Sequence, residues 1–140
     1  MIINKSNATI INTKEIYIHD DVLLDLSFNR LDYKLSLLLS TYKDHTYTID
    51  FTDVIGFEMT SCDFWGASPR IYSVMLISSE NHSIIPKLKK NNFFSRTNAS
   101  IEIENYMEIQ IIFISGDELV VTCKQMEYNK TTENISQFES

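Results

Sequence analysis

Apolar and polar residues alternate along most of this chain with a period of two. In the run Tyr47–Phe51, the odd positions hold Tyr, Ile and Phe, and the even positions hold Thr and Asp. Successive side chains leave opposite faces of a strand, so this period predicts a strand with one buried face. The runs Val22–Asn29 and Tyr33–Ser40 have the same period. Because the connections are short, residues 22–51 predict a three-stranded antiparallel meander.

The alternation also assigns faces within the first strand of the meander. Its even positions are all apolar, whereas Asp25, Ser27 and Asn29 occupy three of the odd ones. A helix is excluded, because the apolar residues would scatter around a helix with about 3.6 residues per turn. We therefore expect four side chains to face the core: Val22, Leu24, Leu26 and Phe28.

Further strands are predicted in the rest of the chain, at Val54–Met59, Ile71–Ser78, Ile101–Glu104, Glu108–Ile114 and Leu119–Met126. The strand at 71–78 has apolar residues on both faces, which is typical of a central strand covered on both sides. Gly116 lies within a Ser-Gly-Asp-Glu sequence and predicts a hairpin turn between the last two strands.

Two segments depart from this alternation. Residues 79–98 contain Pro86 and four basic side chains. They predict a short helix at Pro86–Asn91, because proline is tolerated in the first turn of a helix. From about residue 129 onward the chain is polar and is expected to fray.

Together these elements predict a mainly β, single-domain protein that covers residues 1–140. We expect about seven to nine strands in an antiparallel sheet that is twisted or partly rolled into a barrel or sandwich. At most one short helix is expected, near residues 86–91. No internal repeat or linker divides the sequence.

The net charge of the chain limits the classes of partner that it can bind. The 140 residues include 12 Lys and Arg against 19 Asp and Glu, a net charge of −7. Nucleic acid is excluded as a direct partner, because binding to phosphates requires clustered cations. An acidic surface instead suits a basic protein. Since residues 1–11 lack a signal-like pattern and no long apolar run follows, we expect a cytoplasmic protein without membrane contact.

Two groups of residues have the side chains that metal or thiol chemistry requires. His19, Asp20 and Asp21 are consecutive, but neighbours in a turn rarely converge on one ion, so we favour a structural turn. Cys62 and Cys123 lack metal-ligand spacing and are expected to be free thiols in the core. We therefore predict no metal, no cofactor and no catalytic residue.

The carboxylates leave two interpretations open. A glycosidase needs two carboxylates across a cleft. Six acidic residues supply candidates for such a pair: Asp50, Asp53, Glu58, Asp63, Glu102 and Glu104. We favour the alternative, that acids alternating with Ile mark the solvated face of a sheet. Glu102 and Glu104, together with Glu108 and the Asp117-Glu118 turn, then form an acidic patch on one side of the C-terminal sheet.

Trp65 is the only tryptophan and lies in the loop Asp63–Pro69. It either stacks on a sugar or a partner, or closes one end of a sheet. We favour the structural corner, because Phe64, Gly66 and Pro69 surround it in sequence.

Several short stretches together resemble small bacterial immunity proteins of polymorphic toxin systems, including contact-dependent growth inhibition. The stretches are Ile18-His19-Asp20, the alternating strands, Phe51-Thr52-Asp53-Val54 and Phe64-Trp65-Gly66-Ala67-Ser68-Pro69, within about residues 16–78. The resemblance implies a non-enzymatic cytoplasmic protein. Such a protein binds a cognate toxin domain, often a basic nuclease, and covers its active site or a nearby surface.

The prediction is therefore an immunity protein whose carboxylates contact a basic toxin domain. The candidate partner-binding residues are Glu102, Glu104, Glu108, Asp117, Glu118, Asp63 and Trp65. Two alternatives stay open. One is a β-sandwich that binds carbohydrate through Trp65, and the other is a hydrolase that uses two of the carboxylates named above.

Overall fold

The computed structural model of the chain contains two antiparallel sheets, and it describes residues 1–13, 15–60, 70–90 and 103–130. The strands are β1 (Ile2–Asn4), β2 (Val22–Asn29), β3 (Lys34–Ser40), β4 (Thr46–Thr52), β5 (Gly56–Met59), β6 (Ile71–Ile77), β7 (Met107–Phe113), β8 (Glu118–Cys123) and β9 (Gln125–Tyr128). The helix α1 spans Ile84–Lys90, and single 3-10 turns span Ala8–Asn12, Ser79–Asn81 and Ile103–Asn105. The predicted mainly β antiparallel fold with one short helix is confirmed for these residues.

The first sheet has the strand order β1-β9-β4-β3-β2, and the second has the order β5-β8-β7-β6. These are two open sheets and not a closed barrel. Buried side chains from both sheets form one hydrophobic cluster. Each large aliphatic side chain that is fully buried there contributes about 1.5–3 kcal/mol. Among the described residues, no helix is long and apolar enough to cross a membrane.

The predicted meander is present as β2, β3 and β4. Leu37 pairs with Ile49, and Leu35 pairs with Phe51, so apolar side chains of neighbouring strands face the core together. All four of these side chains are buried. The hairpin tip between β3 and β4 has a positive φ at Asp44, a conformation that Asp adopts more readily than most residues.

The face assignment within β2 is partly wrong, because a β-bulge interrupts the strand. The register with β3 shifts between Leu23 and Asp25, which leaves Leu24 as an extra residue. As a result Leu23 is buried, whereas 52% of Leu24 is exposed. Val22, which is also predicted to face the core, pairs with Ser40 on the opposite face of the sheet. After the bulge, Leu26 and Phe28 lie on the core side as expected, because they pair with Leu37 and Leu35.

The expected central position of the strand at 71–78 is also wrong. β6 is an edge strand of the second sheet, and its residue Tyr72 is largely exposed. The turn Ala8–Asn12 packs against this strand, and the side-chain oxygen of Asn12 accepts a hydrogen bond from the Leu76 amide at 3.0 Å. The turn Ala8–Asn12, and not a further strand, therefore covers apolar residues of β6.

The predicted single strand Leu119–Met126 is divided at Lys124, where the chain leaves β8 and enters β9 in the other sheet. The Lys124 amide donates to the Thr52 carbonyl at 3.2 Å, which ties this crossing to β4. A strand that switches sheets forms a corner of a two-layer β structure. β9 consequently lies between β1 and β4.

Three expectations about irregular segments need correction. The helix begins at Ile84, two residues before Pro86, which lies within the first turn. Ile103–Asn105 is a 3-10 turn, where a strand was expected. The tail does not begin to fray at 129, because the Asn129 amide donates to the Thr48 carbonyl and the Lys130 side chain is buried.

Candidate functional site

Glu108 was expected on the surface of the C-terminal sheet, and this placement is wrong. Its carboxylate is fully buried beneath the start of α1. Oε1 accepts hydrogen bonds from the amides of Ile84 at 2.7 Å and Ile85 at 3.1 Å, and Oε2 accepts one from Ser83 at 2.7 Å. The Thr122 hydroxyl donates to Oε1 at 3.0 Å. The buried charge thus satisfies amides that have no partner within the helix.

Among the described residues, the other C-terminal acids do not form one patch. Glu104 is exposed in the turn that precedes β7, whereas Asp117 lies in the hairpin turn after β7 and Glu118 begins β8. The seven residues of β7 separate them by about 20 Å, at about 3.4 Å per residue. Glu118 accepts a hydrogen bond from the Gln110 side chain at 2.6 Å, and Asp117 accepts one from the Thr60 hydroxyl at 3.2 Å. These carboxylates therefore already have structural partners.

The remaining candidates lie outside the described residues. They are Glu102, Asp63 and Trp65. Cys62 and the Trp65 loop, on which the carbohydrate alternative depends, also lie outside the described residues.

The fold brings together carboxylates on the outer face of the first sheet. Asp50 of β4 and Glu127 of β9 are directly opposite each other, and both side chains are partly exposed. Asp25 lies on the same face of the edge strand β2, in the next row of cross-strand pairs. No described Lys or Arg forms an ion pair with any of the three.

The side chains around this acidic face are of two kinds: short polar ones lie near Asp50, whereas Ile2 pairs with Glu127 and Leu38 pairs with Asp25. In the row of Asp50, the strands β3 and β2 contribute Ser36 and Ser27. The Asn129 side-chain amide donates to Thr48 at 3.0 Å and to Asp50 at 3.4 Å. The short side chains in the row of Asp50 leave room for a partner to approach its carboxylate. Within the described part of the chain, no group of three or more His, Cys, Asp or Glu residues is placed to hold a metal ion.

The sequence did not point to Glu127 or Asp25 as binding residues. The alternation of apolar and polar residues in both strands does predict that Asp50 and Glu127 point outward. Asp50 and Glu127 are cross-strand neighbours, however, only because the chain leaves the second sheet after β8 and β9 pairs with β4. That pairing depends on tertiary structure, and no local pattern encodes it.

The predicted structural role of the His19–Asp21 turn is supported by its contacts. The Asp21 carboxylate is buried, and its Oδ2 lies 2.9 Å from the Lys130 ammonium group. The Tyr47 hydroxyl donates to the same oxygen. The ammonium group also donates to the Tyr17 carbonyl at 2.8 Å and lies 5.2 Å from the Tyr47 ring centroid. This network joins the start of β2, the start of β4 and the end of β9.

Burial alters the acid–base behaviour of this network. It lowers the pKa of Lys130, although the hydrogen bond to Asp21 acts in the opposite direction. Burial, followed by the hydrogen bond to Asp21, raises the pKa of Tyr47 far above its usual value. Burial also raises the pKa of Tyr128 to about 12. These shifted groups are all enclosed in the fold.

Cys123 is a buried free thiol, as predicted for the core. Burial raises its pKa to about 12. Because the thiolate is the reactive form, this residue is inert at neutral pH.

An apolar groove of about 340 Å³ lies where the edges of the two sheets meet. Its walls include Phe28 near the end of β2 and Phe57 of β5, whose ring centroids are 5.0 Å apart. Val54 and Tyr33 also line it. The groove thus adjoins the free edge of β2.

Comparison with known proteins informs the fold alone. No protein-family model and no curated protein matches the chain. Among solved structures, an uncharacterized protein from Neisseria gonorrhoeae is similar, with a TM-score of 0.52 and 13% sequence identity. The match covers 94% of this chain and 99% of that protein. The likeness therefore extends over nearly the whole β architecture.

Proposed function

We propose that this protein is a non-enzymatic inhibitor that binds the basic domain of a cognate bacterial toxin in the cytoplasm. It covers the active site of the toxin or a surface beside it. The observation that carries the proposal is the placement of Asp50 directly opposite Glu127 on an open sheet face. The resemblance of residues 16–78 to immunity proteins points to the same class of partner.

The energetics of this pair favour a role in binding. Like charges directly opposite each other on adjacent strands destabilise a sheet, by roughly 0.2–1 kcal/mol per pair. Lys34 lies on the same face but does not form an ion pair with either carboxylate. A Lys or Arg of a partner placed between the two carboxylates would convert this repulsion into attraction.

The composition of the face supports a macromolecular partner. The short side chains of Ser36 and Thr48 lie beside Asp50, whereas the exposed apolar side chain of Ile2 pairs with Glu127. An acidic surface matches the cationic substrate groove of a nuclease, where carboxylates take the place of phosphates. The net charge of −7 additionally steers a basic partner toward the protein.

The proposal predicts that a gene beside the one for this chain encodes a toxin with a basic domain, and that domain is the partner in the test. We expect Asp50→Asn with Glu127→Gln to weaken binding at least about tenfold, while the unfolding free energy of the isolated protein stays equal or rises slightly. The control is Glu80→Gln combined with Glu15→Gln, which removes two exposed charges elsewhere. Binding is measured by calorimetry at about 50 mM and about 500 mM salt, because screening weakens charge attraction.

Three results would contradict the proposal. Equal affinity of the double variant and its control would mean that this face does not bind the toxin. Affinity that is independent of salt would exclude charge complementarity as the basis of binding. Failure of the protein to bind or inhibit the neighbouring toxin would remove the proposed function itself.

A further inference from the structure

β2 is an edge strand whose far side is mostly unpaired. On one side it pairs with β3 along its whole length. On the other side, within the described residues, only its first residue has a strand-like partner, through an isolated bridge between Val22 and Arg70. From the bulge onward, residues Asp25–Asn29 are in regular register with β3, and no described strand pairs with their other side. Such edges are templates for another strand.

The chain itself shows that this edge accepts antiparallel pairing. The Asp20 amide donates to the Ile71 carbonyl at 2.8 Å, and the Ile71 amide donates to the Asp21 carbonyl at 2.8 Å. Together with the Val22–Arg70 bridge, these bonds form a short ladder just before β2. Residues Asp25–Asn29 continue the same edge without a described partner.

Exposed apolar side chains lie beside this open edge. Phe28 is 39% exposed and forms a wall of the apolar groove with Phe57. Beyond the strand, Tyr33 lines the same groove and is 59% exposed. Apolar side chains that together line one groove mark an interaction site more often than scattered single residues do.

The two sides of β2 differ in chemistry. On the outer face, Asp25 is exposed and has no ion-pair partner among the described residues. On the core side, Leu26 and Phe28 face the second sheet and the groove. Because side chains alternate along a strand, a strand added beside β2 would place every second side chain near Asp25 and the others near the groove.

We propose that the Asp25–Asn29 edge binds an extended segment of the basic partner, in which Lys or Arg residues alternate with apolar residues. This inference rests on the proposed function and names the mode of contact. The added strand forms main-chain hydrogen bonds with β2, its basic side chains lie beside Asp25, and its apolar side chains enter the groove. It also extends the first sheet by one strand.

Charge favours such a partner over a second copy of this chain. Two copies that paired through β2 would bring together molecules that each carry a net charge of −7. Their repulsion opposes association, most strongly at low salt. A basic segment meets no such repulsion.

The test uses a synthetic peptide of four Lys-Val repeats. Its control is the same peptide with an N-methyl group on every amide, which keeps the side chains but removes all backbone hydrogen-bond donors. We expect the unmodified peptide to slow hydrogen exchange by at least about tenfold at those amides of Asp25–Asn29 that point away from β3, and the methylated peptide to leave it unchanged. Equal effects of the two peptides would overturn strand addition.

Variants then examine the groove. Phe28→Ala should weaken peptide binding at least about fivefold, whereas Leu31→Ala, an exposed turn residue outside the strand, should have little effect. Circular dichroism confirms that each variant is folded, and the methylated peptide provides a test on the unaltered protein. Equal affinities of the two variants would exclude the groove as the apolar subsite.

Two further outcomes would identify a different occupant of the edge. A dimer in ultracentrifugation that Phe28→Ala dissociates and Leu31→Ala does not would mean that a second copy binds there. Slow exchange in the protein alone at the amides of Asp25–Asn29 that point away from β3 would mean that the chain covers its own edge. If the toxin domain binds but leaves these amides exchanging freely, the proposed function stands and this inference fails.

Discussion

The Asp21 carboxylate lies 2.9 Å from the Lys130 ammonium group, and both side chains are buried. The two residues are 109 positions apart in the sequence. Their contact holds Lys130, which follows β9, against the turn that precedes β2. Since Asp21 Oδ1 has no hydrogen-bond partner among the described residues, Lys130 and Tyr47 supply the stabilising contacts of this carboxylate.

We expect Lys130→Met to lower the unfolding free energy by about 3–5 kcal/mol, because the change leaves Asp21 as a buried carboxylate without a counter-ion. Chemical denaturation measures this loss. The double variant Asp21→Asn with Lys130→Met should recover part of it, because no buried charge then stays unpaired.

The exposed pair between Lys87 and Glu58 is the matched control for this prediction. Its atoms are 2.6 Å apart, but both side chains are largely solvated. Lys87→Met should therefore cost at most about 1 kcal/mol. Equal losses for Lys87→Met and Lys130→Met would contradict the stabilising role of the buried pair.

Glu108→Gln should destabilise the protein by about 2–3 kcal/mol, because the carboxylate oxygens accept hydrogen bonds from three backbone amides and one hydroxyl. An amide group has one acceptor oxygen, and its NH₂ group would face a donor. Urea unfolding measures the change. Glu118→Gln is the control, since one side-chain hydrogen bond from Gln110 should make its effect smaller than about 1 kcal/mol. A small loss for both variants would argue against Glu108 as the cap of α1.

Stability should decrease as the pH rises above about 10, because unfolded tyrosines ionise there while Tyr47 and Tyr128 stay protonated in the fold. A folded pKa above the unfolded one stabilises the protein fully below the unfolded pKa. This contribution is lost as the pH rises toward the folded pKa, which is about 12 for Tyr128. Each such tyrosine contributes a slope of up to about 1.4 kcal/mol per pH unit.

Urea unfolding between about pH 9 and about pH 11 checks this slope. Tyr128→Phe should reduce this slope, because it removes one tyrosine whose pKa is raised in the fold. Tyr33→Phe removes an exposed tyrosine and should leave the slope unchanged. An identical slope in the wild type and Tyr128→Phe would show that burial of Tyr128 does not govern the alkaline transition.

Local pattern was sufficient for the meander and for the hairpin at Gly116. In β3 and β4 every second residue is apolar, and those residues are buried. The pattern failed at β2, where one extra residue at the bulge reversed the faces of Leu23 and Leu24. A bulge is set by pairing with the neighbouring strand, and the sequence of a single strand does not reveal it.

In the candidate site, too, local pattern predicts some features and only the fold determines others. Glu108 and Glu127 both sit in alternating strands and look alike in sequence. The fold places α1 over Glu108, whereas it leaves Glu127 partly exposed beside Asp50. Sequence reasoning therefore selected the acid that stabilises a helix and passed over the acid on the open face.

The sequence by itself determined the β class, the antiparallel meander and the acidic character, because alternation and charge are local or additive properties. The tertiary structure decided which strands lie at the edges, where the chain changes sheets and which acids are buried. These features depend on pairing between distant segments, such as β4 with β9 and Asp21 with Lys130. Such pairs are selected by packing of the whole chain, and no window of neighbouring residues contains both partners.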